Sequence, residues 1–85
     1  MNKKKIVKDW IIDKVEFINY KYTEMGHDGF KFELNDRLAY LFYDKGVPKR
    51  ISKWLKKKYN IDSESSIGYD HPYSYSIHVR IRKDI

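Results

Sequence analysis

The sequence predicts an α+β domain: a small antiparallel sheet with two helices packed on one face, in the order α-β-β-β-α-β. Three observations predict it. An apolar stripe at helical spacing opens the chain, three later stretches alternate apolar and polar residues, and a two-sided helical stretch follows Gly46 and Pro48. With 85 residues the chain makes one domain spanning residues 1–85. A domain of this size buries only about 60 to 65 per cent of its unfolded surface, so its core must be thin.

In KKKIVKDWIIDKV, Ile6, Val7, Trp10 and Ile11 share one helical face, with Lys8, Asp9 and Asp13 opposite. VEFINYKYT (15–23) is rich in β-branched and aromatic residues and reads as a strand, closed by the turn chemistry of MGHDG. Phe30, Phe32 and Leu34 alternate with Lys31 and Glu33. Asn35 and Asp36 then offer a two-residue turn, and Leu38, Tyr40 and Phe42 alternate in the returning arm of a hairpin. Gly46 and Pro48 break that pattern and start a helix that runs to Tyr59, with Asn60 closing it. DSESSIGYDHP (62–72) reads as a loop. Tyr75, Ile77, Val79 and Ile81 alternate with Ser76, His78 and Arg80 in a last strand with one wet face. A rival parse turns the first segment into a strand and Asp13 to Met25 into a helix, the ferredoxin-like βαββαβ order. Val15, Phe17, Ile18, Tyr20, Tyr22 and Thr23 are poor helix formers and favour the first parse.

The absence of cysteine removes disulfides, thiolate metal sites and thiol nucleophiles. No apolar run reaches the roughly 18 residues of a membrane span, and the lysine-rich start lacks a signal-type apolar core. A cytoplasmic protein that does not engage a membrane is expected. His27, His71 and His78 lie far apart without metal-ligand spacing, and no glycine-rich phosphate loop or nucleophile elbow occurs, so neither metal nor cofactor is expected.

The net charge of +6 is not spread evenly. Lys45, Lys49, Arg50, Lys53, Lys56, Lys57 and Lys58 fall between residues 45 and 61, which hold no acid. The rest of the chain carries 11 basic residues against 12 acids. At about 100° per residue, Lys49, Arg50, Lys53, Lys56 and Lys57 share one arc of about 120° opposite Val47, Ile51, Trp54 and Leu55. Such an arc is either a solvated face or the footprint of a polyanion. Solvated faces usually mix signs, and a one-sign arc repels itself until a partner phosphate relieves it.

GVPKRISK (46–53) resembles the start of the second helix of double-stranded RNA-binding domains, and GHDGF (26–30) is similar to that family's first strand-to-strand loop. The resemblance implies that Lys49, Arg50 and Lys53 hold phosphates and that His27 enters the minor groove of duplex RNA. The chain departs from the family at Pro48, where serine is usual, and at Ile51, Trp54 and Leu55, where alanines are usual. HicA-type mRNA interferases share that core, and GHDGF resembles their catalytic strand start as well. This second resemblance implies a ribonuclease with His27 as general base.

Eight tyrosines are more than a thin core requires. Tyr40, Tyr43, Tyr73 and Tyr75, together with Tyr20, Tyr22 and Tyr69, read as a base-stacking surface, as a protein-binding patch, or as amphipathic cover for the core. The leading expectation is a non-enzymatic nucleic-acid-binding module that prefers structured or double-stranded RNA and acts through Lys45, Lys49, Arg50, Lys53, Lys56, Lys57 and His27. The alternatives are a small phage- or mobile-element-type inhibitor or adaptor docking on a nucleic-acid-handling protein, and the ribonuclease. Exposed sheet edges would also allow a homodimer.

Overall fold

The computed structural model describes residues 2–71 and 74–82. The α+β class holds, while the order of elements is corrected to α-β-α-α-β-β: α1 (Lys3–Met25), β1 (Gly29–Leu34), α2 (Asp36–Asp44), α3 (Val47–Tyr59), β2 (Ser63–His71) and β3 (Ser74–Ile81). The three strands form an antiparallel sheet in the order β1-β3-β2.

The first correction is that residues 15–23 are helix rather than strand. The Asn2 side chain accepts the Lys5 N–H at 3.2 Å and starts α1. Val7, Ile11, Val15 and Ile18 then succeed one another by four, four and three residues, and all are fully buried. That unbroken stripe outweighs the local β preference of VEFINYKYT, because most helical stability in a protein comes from packing one face. Gly26 ends the helix in the left-handed region at φ 72°, its N–H bonded to the Tyr22 carbonyl at 3.1 Å. The rival parse had the helix over Asp13 to Met25 but not its continuation back to Lys3, so the ferredoxin-like order is absent.

The second correction replaces the returning hairpin arm with α2. Asn35 does not turn a hairpin; its Oδ1 accepts the Leu38 N–H at 2.9 Å and caps a helix that has Asp36 in its first turn. Ala39 and Phe42, three residues apart, are buried, and the exposed Tyr40 and Tyr43 repeat the same spacing on the outer face. Gly46, at φ 62°, then redirects the chain into α3, whose limits agree with the sequence expectation, including Asn60 as a left-handed cap at φ 57°.

The third correction is that residues 63–71, expected as loop, form the edge strand β2. It pairs with β3 from Ser63 opposite Ile81 to Tyr69 opposite Tyr75. Its helix-facing side is polar at one end because Ser63 and Ser65 meet Ser52 of α3 rather than an apolar core. The Ser52 and Ser65 hydroxyls lie 2.6 Å apart, and Ser63 donates to Ser52 at 3.0 Å. A strand that buries hydroxyls against a helix carries little hydrophobic signal.

All three helices cover one sheet face, where two were expected. Trp10 of α1 meets Phe32 edge-on at 5.8 Å, Tyr40 of α2 lies 6.3 Å from Tyr75, and Ser52 of α3 touches Ser65. Between them Phe42, Val47, Ile51, Leu55 and Ile77 are fully buried. The opposite face presents Lys31, Glu33, Ser66, His78 and Arg80. Two helices thus follow β1 directly, whereas a double-stranded RNA-binding domain continues with strands. His27 accordingly sits in a helix-to-strand turn rather than a strand-to-strand loop.

Candidate nucleic-acid interface

The rotation of α3 about its axis is fixed by Val47, Ile51 and Leu55, each 0% exposed. Burying that stripe forces Lys49, Lys53, Lys56 and Lys57 outward, with Arg50 half-buried beside them. Two of the helix's cations are engaged. Lys56 pairs with Asp62 at 3.1 Å, and Lys58 reaches across to Glu16 of α1, to which Tyr59 also donates. The bond from Lys58, and secondly that from Tyr59, holds the Glu16 carboxyl below its ordinary range. The same contacts raise the Lys58 ammonium and the Tyr59 phenol, each chiefly through the bond to Glu16. This explains the one lysine that lies off the cationic arc: Lys58 joins α3 to α1.

Lys45, Lys49, Arg50, Lys53 and Lys57 have neither a side-chain hydrogen bond nor an ion pair among the described residues. Lys49, Lys53 and Lys56 line a groove of about 560 Å³ between α3 and the start of β2, floored by Ser52, Ser63 and Ser65. The acids bordering the groove are already matched, Asp62 with Lys56 and Glu64 with Arg82 at 2.7 Å. Lys49 and Lys53 therefore remain as its uncompensated charge. Hydroxyls and ammonium groups along one channel can hold phosphate oxygens through charge-assisted hydrogen bonds.

The other expected site residues fall elsewhere. His27 is exposed in the turn after α1, with its backbone N–H on the Lys21 carbonyl at 3.2 Å, and does not line the cation groove. Tyr73 lies outside the described residues. Tyr20 is exposed on α1, and Tyr22 is packed against the core. Tyr40, Tyr43 and Tyr75 do converge, and Tyr69 joins them. With Ala39, Ile67 and Gly68 they line a second groove of about 440 Å³ between α2 and β2, almost wholly apolar. Tyr69 packs on Tyr75 at 5.0 Å and the Tyr40 ring lies 6.3 Å from it; the neighbouring Tyr40 is the main cause that raises the Tyr75 phenol above its usual range.

The groove residues Ser52, Ser63, Ser65 and Arg82 were not singled out from sequence. The available signal was the alternation of Ser63 and Ser65 with Glu64 and Ser66, a polar edge strand in outline. Among the described residues no cluster of His, Asp and Glu could hold a metal ion, and no helix is long and apolar enough to cross a membrane. Comparison with known proteins finds no matching family model, no matching curated protein and no matching solved structure.

Proposed function

We propose that the chain is a non-enzymatic nucleic-acid-binding module that grips the phosphate backbone of structured RNA with the outer face of α3. The observation that carries this reading is the unmatched charge of Lys49, Arg50, Lys53 and Lys57, held on one face by a fully buried opposite face, in a segment without acids. Like charges in that arrangement repel, and a polyanion relieves the repulsion. The same contacts would release counterions, making affinity strongly dependent on salt. The preference for RNA rests on the GVPKRISK and GHDGF resemblances alone, because the order of elements differs from that family's. The test is fluorescence anisotropy with duplex RNA, single-stranded RNA and duplex DNA of equal length at two salt concentrations. Salt-sensitive binding led by an RNA supports the proposal; weak, equal binding to all three contradicts it.

A second reading, an inhibitor or adaptor that docks on a nucleic-acid-handling protein, is favoured by the apolar tyrosine groove. A stoichiometric protein partner that co-purifies and survives nuclease treatment supports it. Recovery of nuclease-sensitive nucleic acid supports the first reading instead.

A further inference from the structure

We infer that the tyrosine groove between α2 and β2 is a stacking site for unpaired nucleobases, set in line with the cation groove so that one extended strand occupies both. This rests on the nucleic-acid reading above and adds the feature of the nucleic acid that would be recognised. Three observations carry it.

The first is exposure: Tyr40, Tyr43 and Tyr69 are 67%, 72% and 60% exposed. Rings so exposed bury little of their own surface in the core, which is formed on α2 by Ala39 and Phe42. The second is order. The rings of Tyr40 and Tyr69 both pack on Tyr75, which is tied in turn to β1 by its pairing with Leu34. Tyr40, Tyr69 and Tyr75 are therefore held together before any ligand arrives, which lowers the side-chain freedom lost on binding.

The third is continuity. β2 borders both grooves, Ser63 to Ser65 on the cation side and Ile67 to Tyr69 on the tyrosine side, two residues or about 7 Å apart along the strand. At the helix corner the Gly46 N–H bonds the Tyr43 carbonyl at 3.2 Å, which sets the tyrosine end of α2 beside the start of α3, where Lys49 stands. A groove that pairs apolar rings with adjacent uncompensated cations matches the two halves of a nucleotide, a π-faced base and an anionic phosphate. A purely apolar protein surface would fill the rings but leave Lys49 and Lys53 unmatched.

The experiment compares a fluorescent oligouridine with an abasic sugar-phosphate strand of the same length, against the wild type, Tyr40→Leu/Tyr43→Leu and Lys49→Gln/Lys53→Gln. Leucine keeps an apolar side chain at two exposed positions; Tyr69→Leu is the second variant if the double change disturbs the circular dichroism spectrum. The wild type is expected to bind the oligouridine about five- to 150-fold more tightly than the abasic strand for each base stacked. The tyrosine variant should lose that advantage and keep its salt dependence, while the lysine variant should lose affinity for both strands alike. Equal wild-type affinity for the two strands, with the lysines still required, overturns the stacking site and leaves the phosphate grip standing. Tyrosine variants that bind oligouridine as tightly as the wild type overturn it too, and turn the groove toward a protein partner. No binding of either strand overturns the stacking site, and the phosphate grip then stands or falls on the duplex RNA arm of the anisotropy test above.

Discussion

α1 and α3 are both lysine-rich, and they use their lysines differently. α1 carries six basic residues and four acids; Lys3, Lys4, Lys5 and Lys8 stand ahead of its first acid, Asp9, while Lys14 and Lys21 lie among the acids. Its Lys14 ammonium lies 3.1 Å from Asp13 and 5.5 Å from the ring centres of Trp10 and Phe32, and Lys21 lies 5.6 Å from the centre of Phe17. Lys14 thereby helps to fasten the helix to Phe32 of β1, while Lys21 lies over a ring of its own helix. α3 carries six basic residues and no acid, and four of them touch no charged or aromatic partner among the described residues. The difference teaches that a count of lysines does not locate a binding surface. What matters is how the fold arranges the cations it leaves unmatched: Lys3, Lys4, Lys5 and Lys8 of α1 spread around its first turns, whereas Lys49, Arg50, Lys53 and Lys57 of α3 share one face.

The sharpest break in the comparison lies within α3 itself. Leu55→Ala should cost about 2–5 kcal/mol in urea unfolding, because it opens a cavity beneath a side chain with no exposed surface. Lys53→Gln, two residues away on the outer face, should change stability by less than about 0.5 kcal/mol. A large loss from Lys53→Gln would mean that the cationic face serves the fold.

Next in size is the cation of α1. Lys14→Gln removes both a carboxylate pair and contacts with two rings, and it should lower stability by about 1 kcal/mol while leaving affinity for nucleic acid unchanged. A fall in affinity without a fall in stability would erase the distinction between the helices.

The smallest effect is expected where the two helices meet. Because the Glu16 carboxyl is held below its ordinary value of 4.5, its contribution to stability is complete above that pH and is lost as pH falls through the lowered value. Glu16→Gln should therefore melt slightly below the wild type at neutral pH, and the gap should close in acid. A gap that stayed constant with pH would show that the Lys58 and Tyr59 bonds to Glu16 do not set it.

The elements legible in the sequence were those in which pattern and packing agree. α3 has Pro48 near its start, a one-sided apolar stripe and Asn60 at its end, and it was found with its limits. β1 and β3 alternate apolar and polar residues because one face is buried beneath helices, although Ser76 on the opposite face of β3 is itself buried. The missed elements were those in which local preference and tertiary burial disagree. Val15 to Thr23 prefers strand residue by residue, yet Val15 and Ile18 complete a helical stripe begun at Val7. Leu38, Tyr40 and Phe42 alternate as a strand would, yet the core takes Ala39 and Phe42, three residues apart, and Asn35 serves as a cap. β2 hides its register behind serines.

The candidate site divides along the same line. The cationic arc was legible because it depends only on helical angle. The cation groove was not, because Ser63, Ser65 and Arg82 reach it through a strand read as loop. Tyr40, Tyr43, Tyr69 and Tyr75 stood out as surplus tyrosines, but their convergence depends on α2 being a helix.

The central claim is that the unmatched cations of α3 hold phosphates, and the slope of log K against log salt tests it most directly. Measured by fluorescence anisotropy with one RNA, Lys49→Gln/Arg50→Gln/Lys53→Gln should flatten that slope by about 2 to 3 units for three lost phosphate contacts, with an unfolding midpoint close to the wild type's. A variant that stays folded and keeps the wild-type slope would contradict it.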